Sequence, residues 1–222
     1  MLVKDLMTPD PVHISPLRSV AEAADIMQKQ GVRHLPVVDD EGKLVGLLTR
    51  SSLGKALPGM GTGLTRFEFN YLTSSTAVSD VMIKEPILIT EDEGVEDAAR
   101  IMNVNRISSL LVMRDDKLAG IITDTDLFGA LLELLGAHRS GVRLTVHIPD
   151  RTGQLARVTA AIAEPGGYVS AVGGWYVRGE RNIYGAVLKI ENLTLEQVRA
   201  AIDKLPDAVI VDLRGEPIMH QE

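Results

Sequence analysis

Two stretches of the chain repeat the same order of apolar and polar residues. The first runs from Val3 to Leu53 and the second from Val78 to Leu127, so equivalent residues lie 75 positions apart at their start. After one deletion the spacing becomes 74, and the Gly-apolar-apolar-Thr motifs at Gly46 and Gly120 still coincide. A stretch of about fifty residues that recurs in this way predicts two copies of one structural unit.

Within each copy the pattern predicts an extended segment, a helix, two strands and a second helix. The apolar residues of the first helix follow one face at helical spacing. They are Val20, Ala23, Ala24 and Met27 in one copy, and Val95, Ala98, Ala99 and Met102 in the other. Ser19 or Asp92 is placed to cap the start of this helix. Two short apolar runs around a turn then predict the paired strands.

A third unit begins near Arg143 and follows a different pattern. A strand, a helix, two strands, a helix and a strand succeed one another, which is the ferredoxin-like βαββαβ order. Thr194 and Gln197 have the spacing of a capping box at the second helix. The predicted fold class is therefore mixed α/β in the α+β sense, with two βαββα units followed by a βαββαβ domain.

Composition narrows the possible functions. The 222 residues are 45% hydrophobic but contain no apolar run of about 18 residues, so we expect a soluble protein with more than one core and no membrane partner. The start of the chain lacks the basic flank and apolar stretch of a signal peptide, and we expect a cytoplasmic location. A net charge of -7 and 4% aromatic residues argue against nucleic acid as a partner. The absence of cysteine excludes disulfides, thiolate metal sites and cysteine nucleophiles.

The glycine-rich stretch from Gly54 to Ala77 belongs to neither copy. It lacks the preceding strand of a dinucleotide loop and the lysine that follows the last glycine of a P-loop. We interpret it as a connector, with Phe67, Phe69 and Tyr71 near its end anchoring it on a core.

One polar position differs between the two copies. The second copy has Asp126 three residues after Thr123, whereas the first has Ser52 at the equivalent place. Backbone N–H groups at such a strand-to-helix junction favour phosphate, and a carboxylate there can accept hydrogen bonds from two ribose hydroxyls. The alternative is an ordinary helix N-cap, which uses the same residue types.

The motif Gly-apolar-apolar-Thr-x-x-Asp at 120–126, within a duplicated unit, resembles that of a tandem CBS-domain pair, also called a Bateman module. Residues 143–214 resemble an ACT domain. With the connector sequence Phe-Glu-Phe-Asn-Tyr-Leu at 67–72, the chain is similar to the acetoin-utilisation AcuB-like proteins over almost its whole length. The implied organisation is CBS unit 1 at 1–53, a connector at 54–77, CBS unit 2 at 78–138, the ACT domain at 143–214 and a tail at 215–222.

In CBS pairs, adenosyl ligands lie in clefts between the two units. The resemblance implies that Asp126 holds the ribose and that Thr123 contacts the phosphate or the ribose edge, beside Asp124. The base would lie against Ile87, Ile89, Ile107, Ser108 and Leu110. Arg33 and His34 would reach the phosphates, or else form a solvated strand end.

The resemblance also implies a second, pseudo-symmetric cleft. It would use Thr49, Ser52, Val12 and Ile14. Because serine offers one short hydroxyl where aspartate offers two charged acceptors, we expect this cleft to bind ribose weakly, to be empty or to bind something else.

The resemblance to ACT domains implies a third site for a small ligand, commonly an amino acid. It would lie at the turn formed by Asp150, Gly153 and Leu155, where glycine lets the backbone approach a ligand closely. The alternative is a turn that only starts a helix, in a domain that only dimerises.

Catalysis finds no support in the sequence. The five histidines lack metal-ligand spacing and no Gly-x-Ser-x-Gly elbow is present, so we predict no metal and no catalytic cofactor. We predict a homodimeric regulatory protein that senses AMP, ADP, ATP, NAD or S-adenosylmethionine. It would pass the signal to its ACT domain or to a partner enzyme, with a link to acetoin utilisation. The alternative is a ligand-independent dimerising scaffold that docks an enzyme.

Overall fold

The computed structural model describes residues 1–56 and 73–216. The chain divides into two compact units, Met1–Leu127 and Phe128–Glu222. The predicted anchors Phe67, Phe69 and Tyr71 and most of the connector lie outside the described residues. The domain boundaries given above stay predictions.

Residues 1–134 contain the elements expected of two similar copies. The strands are β1 Thr8–Pro9, β2 His34–Val38, β3 Leu44–Thr49, β4 Leu88–Thr90, β5 Ser109–Arg114 and β6 Lys117–Thr123. The helices are α1 Val20–Gln30, α2 Arg50–Ala56, α3 Val78–Val81, α4 Val95–Asn105 and α5 Asp124–Leu134, with a short 3-10 helix at Val3–Asp5. The order of a helix, two strands and a helix in each copy agrees with the sequence pattern.

The start of the first helix is capped by a side chain as predicted in one copy, whereas in the other it has no side-chain cap. Ser19 Oγ accepts the backbone N–H of Glu22 at 3.2 Å, and Glu22 Oε2 accepts the N–H of Ser19 at 3.0 Å, which forms a capping box. The prediction for Asp92 is wrong, because α4 begins after Gly94. Asp92 instead accepts a hydrogen bond from Lys4 Nζ at 2.6 Å.

The two copies exchange their leading segments. Strand β1 pairs antiparallel with β6 of the second copy, where Thr8 lies opposite Ile121. In the equivalent place, Ile83 forms a bridge with Leu47 of the first copy, with both backbone hydrogen bonds at 2.9 Å. Each copy therefore completes its sheet with residues that precede the other copy's helix.

Glycine permits this exchange. A Cβ atom on Gly120 would lie 2.5 Å from Met7 Sδ and 2.9 Å from the carbonyl oxygen of Thr8. A Cβ on Gly46 would meet Met82 Sδ at 2.6 Å. These distances are too short for a side chain, so the repeated glycine is explained by the close approach of the exchanged segment.

Apolar side chains form one core in each copy and a smaller cluster that joins them. The core of the first copy contains Ile14, Val20, Ala23, Met27, Leu35, Val37, Leu48, Leu53 and Val78. The core of the second contains Val3, Ile89, Ala98, Met102, Leu110, Val112 and Ile122. The joining cluster is Leu47, Leu111 and Ile121. Val78, at the start of the second copy, lies in the core of the first copy, and Val3, at the start of the first copy, lies in the core of the second. The exchanged segments therefore also pack in the core of the other copy.

The second unit has the predicted βαββαβ order. Its elements are β7 Gly141–Pro149, α6 Gln154–Ala163, β8 Tyr168–Tyr176, β9 Ile183–Glu191, α7 Leu195–Ile202 and β10 Val209–Glu216. The strands form one antiparallel sheet in the order β10-β7-β9-β8. Thr194 and Gln197 form the predicted capping box, since Gln197 Oε1 accepts the Thr194 N–H at 2.8 Å and Thr194 Oγ1 accepts the Gln197 N–H at 3.3 Å. The assignment of this unit as an ACT domain stays a prediction.

Candidate functional site

The first unit has two clefts built from equivalent positions of the two copies. The Asp126 cleft, of about 420 Å³, is lined from segments 8–12, 31–34 and 121–126. The Ser52 cleft, of about 680 Å³, is lined from segments 83–87, 106–109 and 47–52, together with Arg33 and His34. At the spacings of 75 and 74 these segments coincide, so the clefts are pseudo-symmetric as the repeat predicts.

The segment exchange decides which residues share a cleft, and it corrects the grouping expected from the sequence. Val12 lies in the cleft of Asp126, and not with Ser52. Ile87, Ile107 and Ser108 lie in the cleft of Ser52 with Thr49, and not with Asp126. The reason is that β1 of the first copy pairs with β6 of the second. The segment that follows β1 therefore lies beside the second copy, and the equivalent segment of the second copy lies beside the first.

Three other predicted lining residues belong to the cores. Ile89 and Leu110 are 3% and 0% exposed in the core of the second copy, and Ile14 is 4% exposed in that of the first. Successive residues of a strand point to opposite sides, so a run of apolar residues includes both inward and outward positions. Their side chains stabilise the fold, and the exposed neighbours Val12 and Ile87 face the clefts.

Asp126 caps the start of α5 with one of its two carboxylate oxygens. Its Oδ2 atom accepts hydrogen bonds from the backbone N–H and the Oγ1 hydroxyl of Thr123, both at 2.7 Å, which caps α5. Within the described part of the chain, both hydrogen bonds of this carboxylate end on Oδ2. Oδ1 accepts no hydrogen bond from these residues and is left with its acceptor capacity.

Among the described residues, the hydroxyl of Ser52 bonds only to Thr49, at the start of α2. Its Oγ accepts the backbone N–H of Thr49 at 2.9 Å and lies 3.0 Å from the Thr49 carbonyl oxygen, to which it donates. Its own N–H donates to Thr49 Oγ1 at 3.1 Å. A neutral hydroxyl engaged in this way offers a ligand much less than the second carboxylate oxygen of Asp126.

Arg33 and His34 line both clefts. Arg33 forms an ion pair with Asp124 at 3.3 Å, so Asp124 is engaged with a side chain of the other copy. His34 Nε2 lies 3.0 Å from Ser108 Oγ, within hydrogen-bonding distance. Burial lowers the pKa of His34, the positive charge of Arg33 lowers it further, and the negative charge of Asp124 opposes this shift.

Two cationic residues of the Ser52 cleft, Arg50 and Arg106, were not among the residues predicted from the sequence. Both differ in kind from their equivalents, since the other copy has Asp124 in place of Arg50 and Gly31 in place of Arg106. A position-by-position comparison of the two copies, beyond the Gly-apolar-apolar-Thr motif, would have found them. In the Asp126 cleft, Thr8, Asp10 and Pro11 were also not predicted. The segment exchange that brings them there is not a local sequence pattern.

At the third candidate site the structure gives a local reason for the glycine. Gly153 has a φ of +85° and precedes α6, and a Cβ atom built on it would meet nothing within 4 Å. The left-handed conformation therefore accounts for the glycine without a closely approaching ligand. Leu155 packs on the core of the second unit, and Asp150 is exposed. Ligand binding at this turn stays a prediction.

Two features are absent from the described residues, a metal-binding cluster and a membrane-spanning helix. No group of three or more His, Asp or Glu side chains there is arranged to hold a metal ion. Among the helices of residues 1–56 and 73–216, none combines the length and apolar character needed to cross a membrane.

Comparison with known protein families identifies the repeat. A family model described as the CBS domain matches residues 3–59 and 78–133, together just over half of the chain. The chain therefore belongs to the CBS-domain family, and its two matched segments form a tandem pair.

Individual relatives share this pair in different contexts. L-aspartate semialdehyde sulfurtransferase of Methanocaldococcus jannaschii is 32% identical over 127 residues, which are 57% of this chain and 22% of that protein. The uncharacterized protein YlbB of Bacillus subtilis is 32% identical over 126 residues, which are 56% of this chain and 78% of YlbB. The structure of a Vibrio cholerae protein named for acetoin utilization (AcuB) aligns with a TM-score of 0.52 and 28% identity, covering 61% of this chain and 93% of that one.

The matched segment is a small part of the first curated relatives. It spans only 22% to 24% of their length. The similarity is thus to one segment of each of these enzymes.

Proposed function

We propose that this protein is a non-catalytic regulator that binds an adenosyl ligand in the Asp126 cleft. The observation that carries the proposal is the second oxygen of the Asp126 carboxylate, which is left to accept from a ribose hydroxyl while the first holds the helix start. Val12 is 43% exposed in the same cleft and supplies apolar surface for the base. AMP, ADP, ATP, NAD and S-adenosylmethionine are the candidate ligands.

Regulation requires the ligand to prefer one arrangement of the protein over another. The Asp126 cleft is built from both copies, so a ligand in it would contact both, and its affinity would depend on how they are arranged. The bound state would then act on the second unit or on a partner enzyme, with the protein as a homodimer. The similarity to the Vibrio cholerae AcuB structure makes acetoin utilisation the first process to examine.

Calorimetric titration with the five candidates tests the site. Asp126→Asn keeps the size of the side chain and removes its charge, and a hydrogen bond to a charged group contributes about 1.5–3 kcal/mol. We expect the variant to bind the preferred ligand about tenfold to a hundredfold more weakly. The matched control is Ser52→Ala at the equivalent position, which should leave this affinity within about twofold. Equal effects of the two variants would show that the carboxylate does not hold the ribose.

The same ligands distinguish the regulator from a ligand-independent scaffold. A ligand that binds only the folded protein stabilises it by about 2.7 kcal/mol at a hundred times its dissociation constant. A thermal midpoint that stays constant with all five candidates would favour the scaffold.

A further inference from the structure

The Asp126 cleft carries a surplus of negative charge. Asp10 and Asp126 line it, and Arg33 is its one cationic lining residue among the described parts of the chain. Arg33 is shared with Asp124, with which it forms an ion pair at 3.3 Å. Burial lowers the pKa of His34, which also lines the cleft, so its ring is uncharged at neutral pH. The cleft and this ion pair together contain three carboxylates and one guanidinium group.

The start of α5 does not offset this surplus. Backbone N–H groups at a helix start ordinarily favour an anion. Here Asp126 Oδ2 accepts the N–H of Thr123 at 2.7 Å, and Asp124 Oδ1 accepts the N–H of Thr125 at 2.9 Å. The N–H of Asp124 itself donates to the carbonyl oxygen of Ser108 at 3.0 Å. A phosphate group in the cleft would therefore meet carboxylates at the place where it needs donors.

Asp124 also engages the cation of the cleft. A guanidinium group suits phosphate because it is permanently charged and can donate two parallel hydrogen bonds. The side chains of Arg33 and Asp124 are 52% and 39% exposed, so a phosphate beside them would compete with Asp124 for Arg33. Through its two contacts, Asp124 withholds a backbone N–H and a guanidinium group from the ligand.

The groups that Asp124 engages lie in the same cleft as the proposed ribose contact. Arg33 and Thr125 line the cleft together with Asp126. The part of a ligand next to a ribose held by Asp126 is therefore exposed to the charge of Asp124 and its partner.

We infer that the Asp126 cleft takes an adenosyl ligand with a positive charge beside its ribose, and that Asp124 sets this preference over phosphate. Among the five candidates, S-adenosylmethionine has a sulfonium cation on the ribose carbon that bears phosphate in AMP, ADP, ATP and NAD. The carboxylates attract the sulfonium and repel the phosphate. This inference deepens the proposed function and rests on the ribose contact of Asp126.

Equilibrium dialysis with labelled S-adenosylmethionine measures the preference in one cleft, when only the binding that Asp126→Asn removes is counted. Unlabelled AMP and adenosine compete for that binding, and adenosine is the uncharged reference. In the wild type we expect S-adenosylmethionine to bind more tightly than adenosine, and adenosine more tightly than AMP. Raising the salt from about 0.01 M to about 1 M shortens the Debye length from about 30 Å to about 3 Å and should narrow both differences.

Asp124→Asn keeps an oxygen for the N–H of Thr125 but removes the charge and releases Arg33. Two unit charges about 4 Å apart in water change an affinity by about fivefold. We therefore expect S-adenosylmethionine to bind at least about threefold more weakly and AMP at least about threefold more tightly, with adenosine within about twofold. Adding Arg33→Gln should remove the gain for AMP. The matched control is Asp97→Asn, because Asp97 is 41% exposed, pairs with Arg100 in the first turn of α4 and lies outside both clefts.

Four results would overturn the inference. They are no Asp126-dependent binding of S-adenosylmethionine, AMP that binds the wild type as tightly as adenosine, equal shifts for both charged ligands in Asp124→Asn, and a gain for AMP that survives Arg33→Gln. Shifts in Asp97→Asn as large as in Asp124→Asn would also contradict it. The proposed function fails separately, if Asp126→Asn leaves the binding of all five candidates unchanged in calorimetry. Since the side chains of Asp124 and Arg33 are more than a third exposed, the variants should fold, and a circular dichroism spectrum identical to the wild type checks this.

Discussion

Replacing Arg106 with glycine should make the protein more stable although it removes a large side chain. Arg106 ends α4 with a φ of +54°, and a non-glycine residue in the left-handed helical region costs about 1–2 kcal/mol. Glycine removes this cost, but it also gives the unfolded chain more conformational freedom. That freedom reduces the gain in stability by about 0.4–1 kcal/mol. Within the described residues the side chain of Arg106 makes no hydrogen bond or ion pair, and it is exposed, so little else is lost. The expected gain in the free energy of unfolding is about 1 kcal/mol.

Urea unfolding followed by circular dichroism measures this gain, and two further variants give its cause. Arg106→Ala removes the same charge but keeps a Cβ atom at positive φ, so we expect almost no gain. Gly31→Ala places a Cβ atom at the equivalent left-handed position, where nothing lies within 4 Å, and should cost about 1 kcal/mol through the backbone alone. The reasoning is refuted if Arg106→Gly is no more stable than Arg106→Ala.

Three other predictions concern the fold and its pH dependence. Gly120→Ala should cost about 1–3 kcal/mol in urea unfolding, because its Cβ would meet the backbone carbonyl oxygen of Thr8 at 2.9 Å as well as Met7 Sδ at 2.5 Å. The control Gly129→Ala, in a helix with open space, should gain up to about 1 kcal/mol. Equal effects of the two changes would contradict the close approach. Ser19→Ala removes a capping hydroxyl and should lower the free energy of unfolding by about 1 kcal/mol, and an unchanged urea midpoint would rule this out. Burial lowers the pKa of His34, so the unfolded chain takes up the proton more readily and stability should fall as the pH drops below the ordinary value of 6.5. Urea midpoints between pH 7.5 and about 5 should therefore decline less in His34→Gln, and parallel curves for the two proteins would exclude the histidine as the cause.

The local elements and the two copies could be predicted from the sequence because they depend on short-range patterns. Helical spacing of apolar residues defines α1 and α4, and the repeated motif aligns Thr49 with Thr123. The duplication also predicts two related clefts and the position of Asp126 at a helix start. These features need no knowledge of which distant segments meet.

The membership of each cleft could not be predicted in the same way. Val12 and Ile87 follow the same local pattern, and only the pairing of β1 with β6 determines which helix start each one faces. Inward and outward residues of a short apolar run are also indistinguishable by composition, which is why Ile89 was expected in a cleft and lies in the core. The conformation of Arg106 becomes visible only from its φ angle.

The pairing of Thr8 with Ile121 has a consequence for how the protein is made. These two residues are 113 positions apart, so β1 cannot pair with β6 until Ile121 has been synthesised. Because a contact between such distant residues closes a long loop, it forms late and slowly. The chain beyond Ile121 must therefore leave the ribosome before the first unit can finish folding.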